Sequence, residues 1–270
     1  MVEHAFAILQ AVVVEEGMSE PAAQRARPAP ANARLDATVV ELGLAESRSR
    51  AQALVLAGRV RVNGETSRRP SQPVRAGQAV ELVEPAPYVS RGGEKLAPAL
   101  DAFGVDVRSR VCADIGASTG GFTDVLLQRG AERVYAVDVG RGLLHWRLRQ
   151  DPRVVVMERV NARELTSLPE PVDVVTVDVS FIGLEKVLPA LRRAAPSGEF
   201  VVLFKPQFQV TRAEVGKGGV VRDEAAVTAA LDRFRDWCDG NGLRVMGTVP
   251  ATIAGPAGNR EQLLHLRAAA

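Results

Sequence analysis

The stretch Val111-Cys112-Ala113-Asp114-Ile115-Gly116-Ala117-Ser118-Thr119-Gly120-Gly121-Phe122-Thr123 decides how this sequence folds. A short apolar run ends in a glycine-rich turn, and a helical pattern follows. Such a turn at the carboxyl end of a first strand lets a ligand approach the backbone and places it at a helix N-terminus. The spacing is not the dinucleotide Gly-x-Gly-x-x-Gly, because Ala117, Ser118 and Thr119 separate Gly116 from Gly120. It is not a phosphate-binding loop either, since no Gly-Lys-Ser/Thr follows.

Working outward, further strand-like runs are Val134–Asp138, Val154–Met157, Val172–Asp178, Phe200–Phe204, Leu243–Val249 and Gln262–Leu266. With Val111–Ile115 they make seven candidate strands. The first five alternate with helical stretches, the pattern of a doubly wound parallel sheet. The expected fold is α/β: a seven-stranded, mostly parallel, Rossmann-like sheet preceded by a small α+β module.

That module spans residues 33–84. Leu35 to Leu44 fits a short helix ending at Gly43. Ser47 caps a second helix, Arg48 to Ala57, which ends at Gly58. Val60-x-Val62 followed by Asn63-Gly64 signals a hairpin, and Gln78 to Val83 alternates as another strand. Residues 1–32 read as a flexible Ala/Pro-rich extension, 85–91 as a stiff Pro-Ala-Pro linker and 92–270 as the large domain. The apolar stretch Ala5–Val14 is about half a membrane span and lacks a basic leader, so no membrane partner is expected.

The chain has 270 residues, 46% apolar and 24% charged, with a net charge of +2. Between Ser47 and Arg75 there are seven arginines against one acid, Glu65. This local surplus suits a phosphate backbone or, alternatively, a solvated arginine-rich face. Two distant cysteines, Cys112 and Cys238, imply neither a disulfide framework nor a metal site, and suit a reducing, cytoplasmic compartment.

Asp138 ends the second strand, where a carboxylate accepts hydrogen bonds from the hydroxyls of an adenosine ribose; Val139 follows it. NAD and S-adenosylmethionine enzymes share this device. Asp114 favours the methyl donor, because a carboxylate at the turn meets an α-ammonium group but repels a pyrophosphate. Asn161 and Ala162, past the third strand, fall where an adenine edge is expected, although Asn is also a common turn former.

Topology gathers four charged residues at one edge. Asp178 and Lys205 end the fourth and fifth strands. Glu261 begins the last strand, which reaches the same edge if it is antiparallel. Lys95 opens a helix running antiparallel to the first strand. Charges embedded in apolar runs at strand ends are more suggestive than charges on helix faces. A free lysine has a pKa of roughly 10.4, so Lys205 has two readings. It is a base for a weakly acidic hydroxyl, or a charged group stabilising a developing alkoxide.

Arg34-Leu35-Asp36, Ser47 to Gln52 and Val62-Asn63-Gly64 resemble the S-four RNA-binding domain. Ser90 to Leu96, Asp114 to Asp124, Gln150 to Val154, Asp178 to Phe181, Lys205 to Phe208, Gly216 to Asp223 and Gly255 to Glu261 resemble the TlyA family, whose catalytic domain is similar to the FtsJ ribose methyltransferases. The resemblance covers about residues 33–268. It implies an S-adenosylmethionine-dependent enzyme that methylates the ribose 2′-hydroxyl of cytidine in ribosomal RNA. It also implies that Lys95, Asp178, Lys205 and Glu261 are the catalytic tetrad.

The expected cofactor site comprises Asp114, Gly116 through Thr123, Asp138, Val139, Asn161, Ala162 and Asp178. The expected RNA contacts are Arg34, Arg48, Arg50, Arg59 and Arg91. The loop Arg212–Arg222 covers the pocket in one reading and is a mobile surface loop in the other. The expected partners are ribosomal RNA or ribosomal subunits, with no metal and a monomer favoured. Three alternatives compete. A small-molecule O-methyltransferase needs an aromatic lid, whereas aromatic residues are 4% of the chain. A membrane-active haemolysin is the second, and an RNA-binding protein with an inactive methyltransferase fold is the third.

Overall fold

A computed structural model of the chain describes residues 26–84 and 86–269. It divides into two compact units between Pro87 and Tyr88.

The smaller unit has its own core of Leu35, Val39, Val55, Val60 and Val80, all fully or almost fully buried. Its elements are β1 (Arg27–Pro28), β2 (Ala33–Arg34), α1 (Leu35–Glu41), α2 (Arg48–Leu56), β3 (Val60–Val62), β4 (Glu65–Ser67), β5 (Pro73–Val74) and β6 (Ala79–Leu82). Four strands form one sheet in the order β1-β6-β3-β4, and β2 pairs with β5. Ser47 Oγ accepts the Arg50 N–H at 3.2 Å and caps α2. Asn63 and Gly64 both take positive φ, +50° and +83°. A two-residue turn needs this if its twist is to match the flanking strands.

The small unit extends ahead of residue 33. Arg27 and Pro28 pair antiparallel with Val80 and Ala79. Ala29 is buried, and its N–H donates to the Gln78 carbonyl at 2.8 Å. An edge strand tolerates proline, which has no N–H to donate, so an Ala/Pro-rich run is compatible with pairing here. Of the expected extension, residues 1–25 lie outside the described residues, as does Pro85 of the expected linker.

The larger unit contains α3 (Gly92–Phe103), β7 (Val111–Ile115), α4 (Gly121–Gln128), β8 (Arg133–Asp138), α5 (Trp146–Arg149), β9 (Val154–Glu158), β10 (Val174–Val177), α6 (Leu188–Ala194), β11 (Glu199–Phe204), α7 (Glu224–Gly240), β12 (Leu243–Pro250) and β13 (Gln262–Ala268). The seven strands form one sheet, β12-β13-β11-β10-β7-β8-β9. Strands β7 to β11 are parallel, and β13 runs antiparallel to both β11 and β12. The residues of β10 and β11 are all buried, as expected for parallel strands covered on both faces. One face packs Leu188, Leu191 and Phe234 from α6 and α7. The other packs Leu96, Leu100, Phe122 and Leu126 from α3 and α4.

Two expectations are corrected here. The strands do not all alternate with helices: between β9 and β10 the chain makes only a 3-10 turn at Ala162–Glu164. Residues 88–91 are also not linker. Val89 and Ser90 are buried, and the Val89 N–H donates to Asp124 Oδ2 at 2.8 Å.

After β9 the chain returns to lay β10 beside β7, so the sheet order reverses between those two strands. That reversal is where open α/β sheets bind ligands, outside the carboxyl ends of the strands. A second feature braces the same edge. Pro98 sits inside α3 and has no N–H for the Glu94 carbonyl. The Thr252 hydroxyl donates to that carbonyl instead, at 2.7 Å. The helix is thereby tied to the loop leading to Glu261.

Candidate active site

Gly116 and Asp178 follow the two strands flanking the reversal. Gly116 has φ +80°, and a Cβ built on it meets the Asp178 carbonyl oxygen at 2.4 Å. The two backbones therefore touch, and only glycine fits. A cavity of about 560 Å³ opens at this edge. Gly116, Ala117, Ser118, Thr119, Gly121 and Phe122 form its floor. Lys95, Asp178, Lys205 and Glu261 line the same cavity. The four residues thus share one edge of the sheet, and β13 is antiparallel and starts beside Glu261.

The four charged groups form two pairs of different character. Lys95 Nζ donates to Glu261 Oε2 at 2.6 Å, with side-chain exposures of 9% and 1%. Removing two charges from water is costly, and only close contact offsets the cost. Lys205 Nζ lies 2.6 Å from Asp178 Oδ1 and donates to Ser180 Oγ at 2.8 Å. The Asp178 contact is an ion pair without hydrogen-bond geometry, and Oδ1 is buried with no hydrogen-bond partner. Gln207 lines the cavity too, and its buried Oε1 has no hydrogen-bond partner.

Three residues of the expected cofactor site lie off the cavity wall. Asp114 is completely buried and does not reach the cavity wall. Its Oδ2 accepts the Thr123 N–H at 2.9 Å and the Thr123 hydroxyl at 2.7 Å. Its Oδ1 accepts the Thr176 hydroxyl at 3.1 Å. The carboxyl group therefore fixes the turn to α4 and β10. Thr123 is consumed in the same network. Gly120 faces the core, where a Cβ meets Leu148 at 2.3 Å.

Burial pushes the Asp114 carboxyl up to about 7, against the Thr123 and Thr176 hydrogen bonds. The folded state then holds a proton that the unfolded chain releases near pH 4. Its contribution to stability is complete below that value and is lost as pH rises towards 7. The melting temperature of wild type relative to Asp114→Asn is expected to fall steadily between pH 4 and pH 8. A pH-independent difference contradicts this reading.

Asp138 sits at the end of β8, outside the cavity wall. Its Oδ2 accepts the Ser118 N–H at 2.8 Å, and its Oδ1 accepts the Gly140 N–H at 2.7 Å. It thus shapes the glycine turn while retaining lone pairs on a half-buried carboxylate. Val139, beside it, is exposed. Asn161 caps the 3-10 turn that begins at Ala162, accepting the Arg163 N–H at 3.2 Å.

Arg34 and Arg48 both reach the buried Asp36 carboxylate, at 3.0 and 3.3 Å, while their side chains stay about half exposed. The Arg34 guanidinium holds the Asp36 carboxyl well below the usual range. Among the described residues, the Arg50 guanidinium has no partner. Arg59 is spent within the module, on the Val83 carbonyl and on Glu84 at 3.3 Å. Arg91 is not in a linker: it precedes α3 on the cavity rim and donates to the Ala254 carbonyl at 3.0 Å.

The sequence reading did not assign Ser90, Ser180, Phe181, Gln207, Phe208 or Asn259, all of which line the cavity. Neutral polar and aromatic residues carry no charge signal, and only their nearness to Asp178, Lys205 and Glu261 pointed to them. Asn259 is 1% exposed; it accepts the Val221 N–H and donates to the Gly219 carbonyl, both at 2.9 Å. It therefore pins the 212–222 loop, which contributes Val215 and Gly219 to the wall.

A glycine turn at a sheet reversal, with an antiparallel last strand returning a carboxylate to the same cavity, defines the Rossmann-like methyltransferase class. The FtsJ-like methyltransferase family model matches residues 88–268, and the S4 domain model matches residues 33–80. The chain is 46% identical over 244 residues to the 16S/23S rRNA (cytidine-2′-O)-methyltransferase TlyA of Mycobacterium tuberculosis, covering 87% of this chain and 90% of that one. It is 41% identical to Hemolysin A of Brachyspira hyodysenteriae, covering 86% and 98%. A solved structure of a candidate hemolysin from Streptococcus thermophilus superposes with TM-score 0.67 at 41% identity, covering 89% and 90%. The chain belongs to the FtsJ-like methyltransferase family.

Proposed function

We propose that this protein transfers a methyl group from S-adenosylmethionine to the ribose 2′-hydroxyl of a cytidine in ribosomal RNA. The observation that carries the proposal is the Lys205–Asp178 pair on the wall of a cavity whose floor is the glycine turn.

The residues present fit the cofactor. Asp138 offers acceptor atoms for the ribose hydroxyls, next to backbone it already orders. Asp178, whose side chain is 23% exposed on the cavity wall, suits the α-ammonium. Val139, Asn161 and Ala162, which follow β8 and β9, are assigned to the adenine in this proposal. Bound there, S-adenosylmethionine would supply an electrophilic methyl group for the ribose oxygen, with the thioether as leaving group.

The chain's own part is positioning and proton transfer. Lys205 Nζ, after releasing its own proton to solvent, takes the proton from the 2′-hydroxyl and becomes an ammonium beside Asp178 again. The buried Lys95–Glu261 pair fixes α3 against the start of β13 and keeps the far wall polar. Arg34, Arg48 and Arg50 of the small module meet RNA phosphates, and Asp36 pre-orients the first two. Among the described residues, no helix is long and apolar enough to cross a membrane.

Arg48→Ala/Arg50→Ala is expected to weaken binding to ribosomal subunits and to lower the salt slope by about 1 per arginine. An unchanged slope removes the module from the RNA interface. The methyl-transfer proposal is tested by incubating undermethylated ribosomal subunits with the protein and labelled cofactor. Label is expected in a ribose-methylated cytidine.

A further inference from the structure

Lys205 Nζ has two neighbours, and they do different things. The Asp178 contact at 2.6 Å is an ion pair, which attracts without fixing direction. The Ser180 contact at 2.8 Å is a hydrogen bond, which is directional. Among the described residues, Ser180 Oγ is the one hydrogen-bond acceptor for this amine. Ser180 itself is an exposed residue on the cavity wall. An exposed serine hydroxyl, free to rotate, does not hold a long lysine side chain unless the backbone under both residues is fixed.

Contacts tie the two backbone segments to each other. Phe181, immediately after Ser180, has φ +64°, a conformation unusual for a bulky residue and maintained only when its surroundings impose it. Its ring leans on that of Phe208, with centroids 5.1 Å apart. Phe208 ends the 3-10 turn Pro206–Phe208 that follows Lys205, and its N–H donates to the Lys205 carbonyl at 3.0 Å. The ring pair therefore braces segment 178–181 against segment 205–208, and the serine and the lysine occupy those two segments.

We infer that Ser180 is a positioning residue for methyl transfer. Its hydroxyl aims Lys205 Nζ, so that the remaining valence of the amine is presented to the acceptor hydroxyl. This deepens the proposed function and rests on it. Asp178 supplies charge and Ser180 supplies direction. Orientation of this kind acts on the reacting geometry and leaves substrate binding largely untouched, so its loss appears in kcat.

The test uses the full-length protein with undermethylated ribosomal subunits and three forms: wild type, Ser180→Ala and Ser180→Thr. Ser180→Ala is expected to lower kcat by about tenfold or more, roughly the value of one aligned hydrogen bond. The KM for subunits and the cofactor Kd are expected to stay within about threefold. Ser180→Thr keeps the hydroxyl and is expected to restore most of kcat. Three results overturn the inference: kcat of Ser180→Ala within twofold of wild type, a loss that resides in KM, or Ser180→Thr no better than Ser180→Ala. If wild type places its methyl group elsewhere than on ribose, the proposed function fails. The ratio of the three kcat values still reports the part played by Ser180.

Discussion

Lys205→Ala is expected to lower kcat for methyl transfer by about 10²–10⁴-fold, the range associated with a positioned proton acceptor. Cofactor affinity is expected to remain within severalfold, because Lys205 makes its contacts with Asp178 and Ser180 rather than with the glycine turn. The fold is expected to survive. Lys205 leaves Asp178 behind, but that side chain is 23% exposed and is partly solvated. Rapid-quench turnover and calorimetric cofactor binding measure the two quantities separately. Near-normal turnover in the variant removes Lys205 from the chemistry.

The second large effect is on stability. Lys95→Met leaves the Glu261 carboxylate, 1% exposed, without a cation. Breaking a buried pair from one side costs about 3–5 kcal/mol. In a domain of this size that lowers the melting temperature by roughly 10 °C. Glu261 has little freedom to escape, since a Cβ on Gly255 comes 2.5 Å from its Oε1. The double variant Lys95→Met/Glu261→Leu removes both charges and is expected to recover most of the lost stability. A double variant as unstable as the sum of the two single ones means that the side chains contribute independently.

These two pairs also show what was legible in the sequence. Charges at strand ends were placed on one edge by topology alone, and the antiparallel β13 brought Glu261 there. The strands themselves were legible because parallel strands buried on both faces are written as unbroken β-branched runs, as in Val174–Val177. The direction in which a carboxylate faces was not legible. Asp114 has the sequence position of a ligand contact, yet Thr123 and Thr176 absorb its oxygens. Those partners lie 9 and 62 residues away, and no local pattern announces them. The partner of Arg59 is hidden for the same reason, since Glu84 follows 25 residues later. The edge strand at Arg27–Pro28 was hidden by its composition: two residues paired to β6 carry no periodicity. Ser180 and Asn259 are neutral, and their importance lies in which atoms they hold.

The central claim is that this cavity methylates a ribose 2′-hydroxyl of cytidine in ribosomal RNA. The most direct test is nucleoside mass spectrometry of ribosomal RNA after incubation with S-adenosylmethionine and either wild type or Lys205→Ala. 2′-O-Methylcytidine is expected with wild type alone, at a discrete position that blocks alkaline cleavage. A methyl group on a base, or no added methyl group on RNA with an active, cofactor-bound protein, contradicts it.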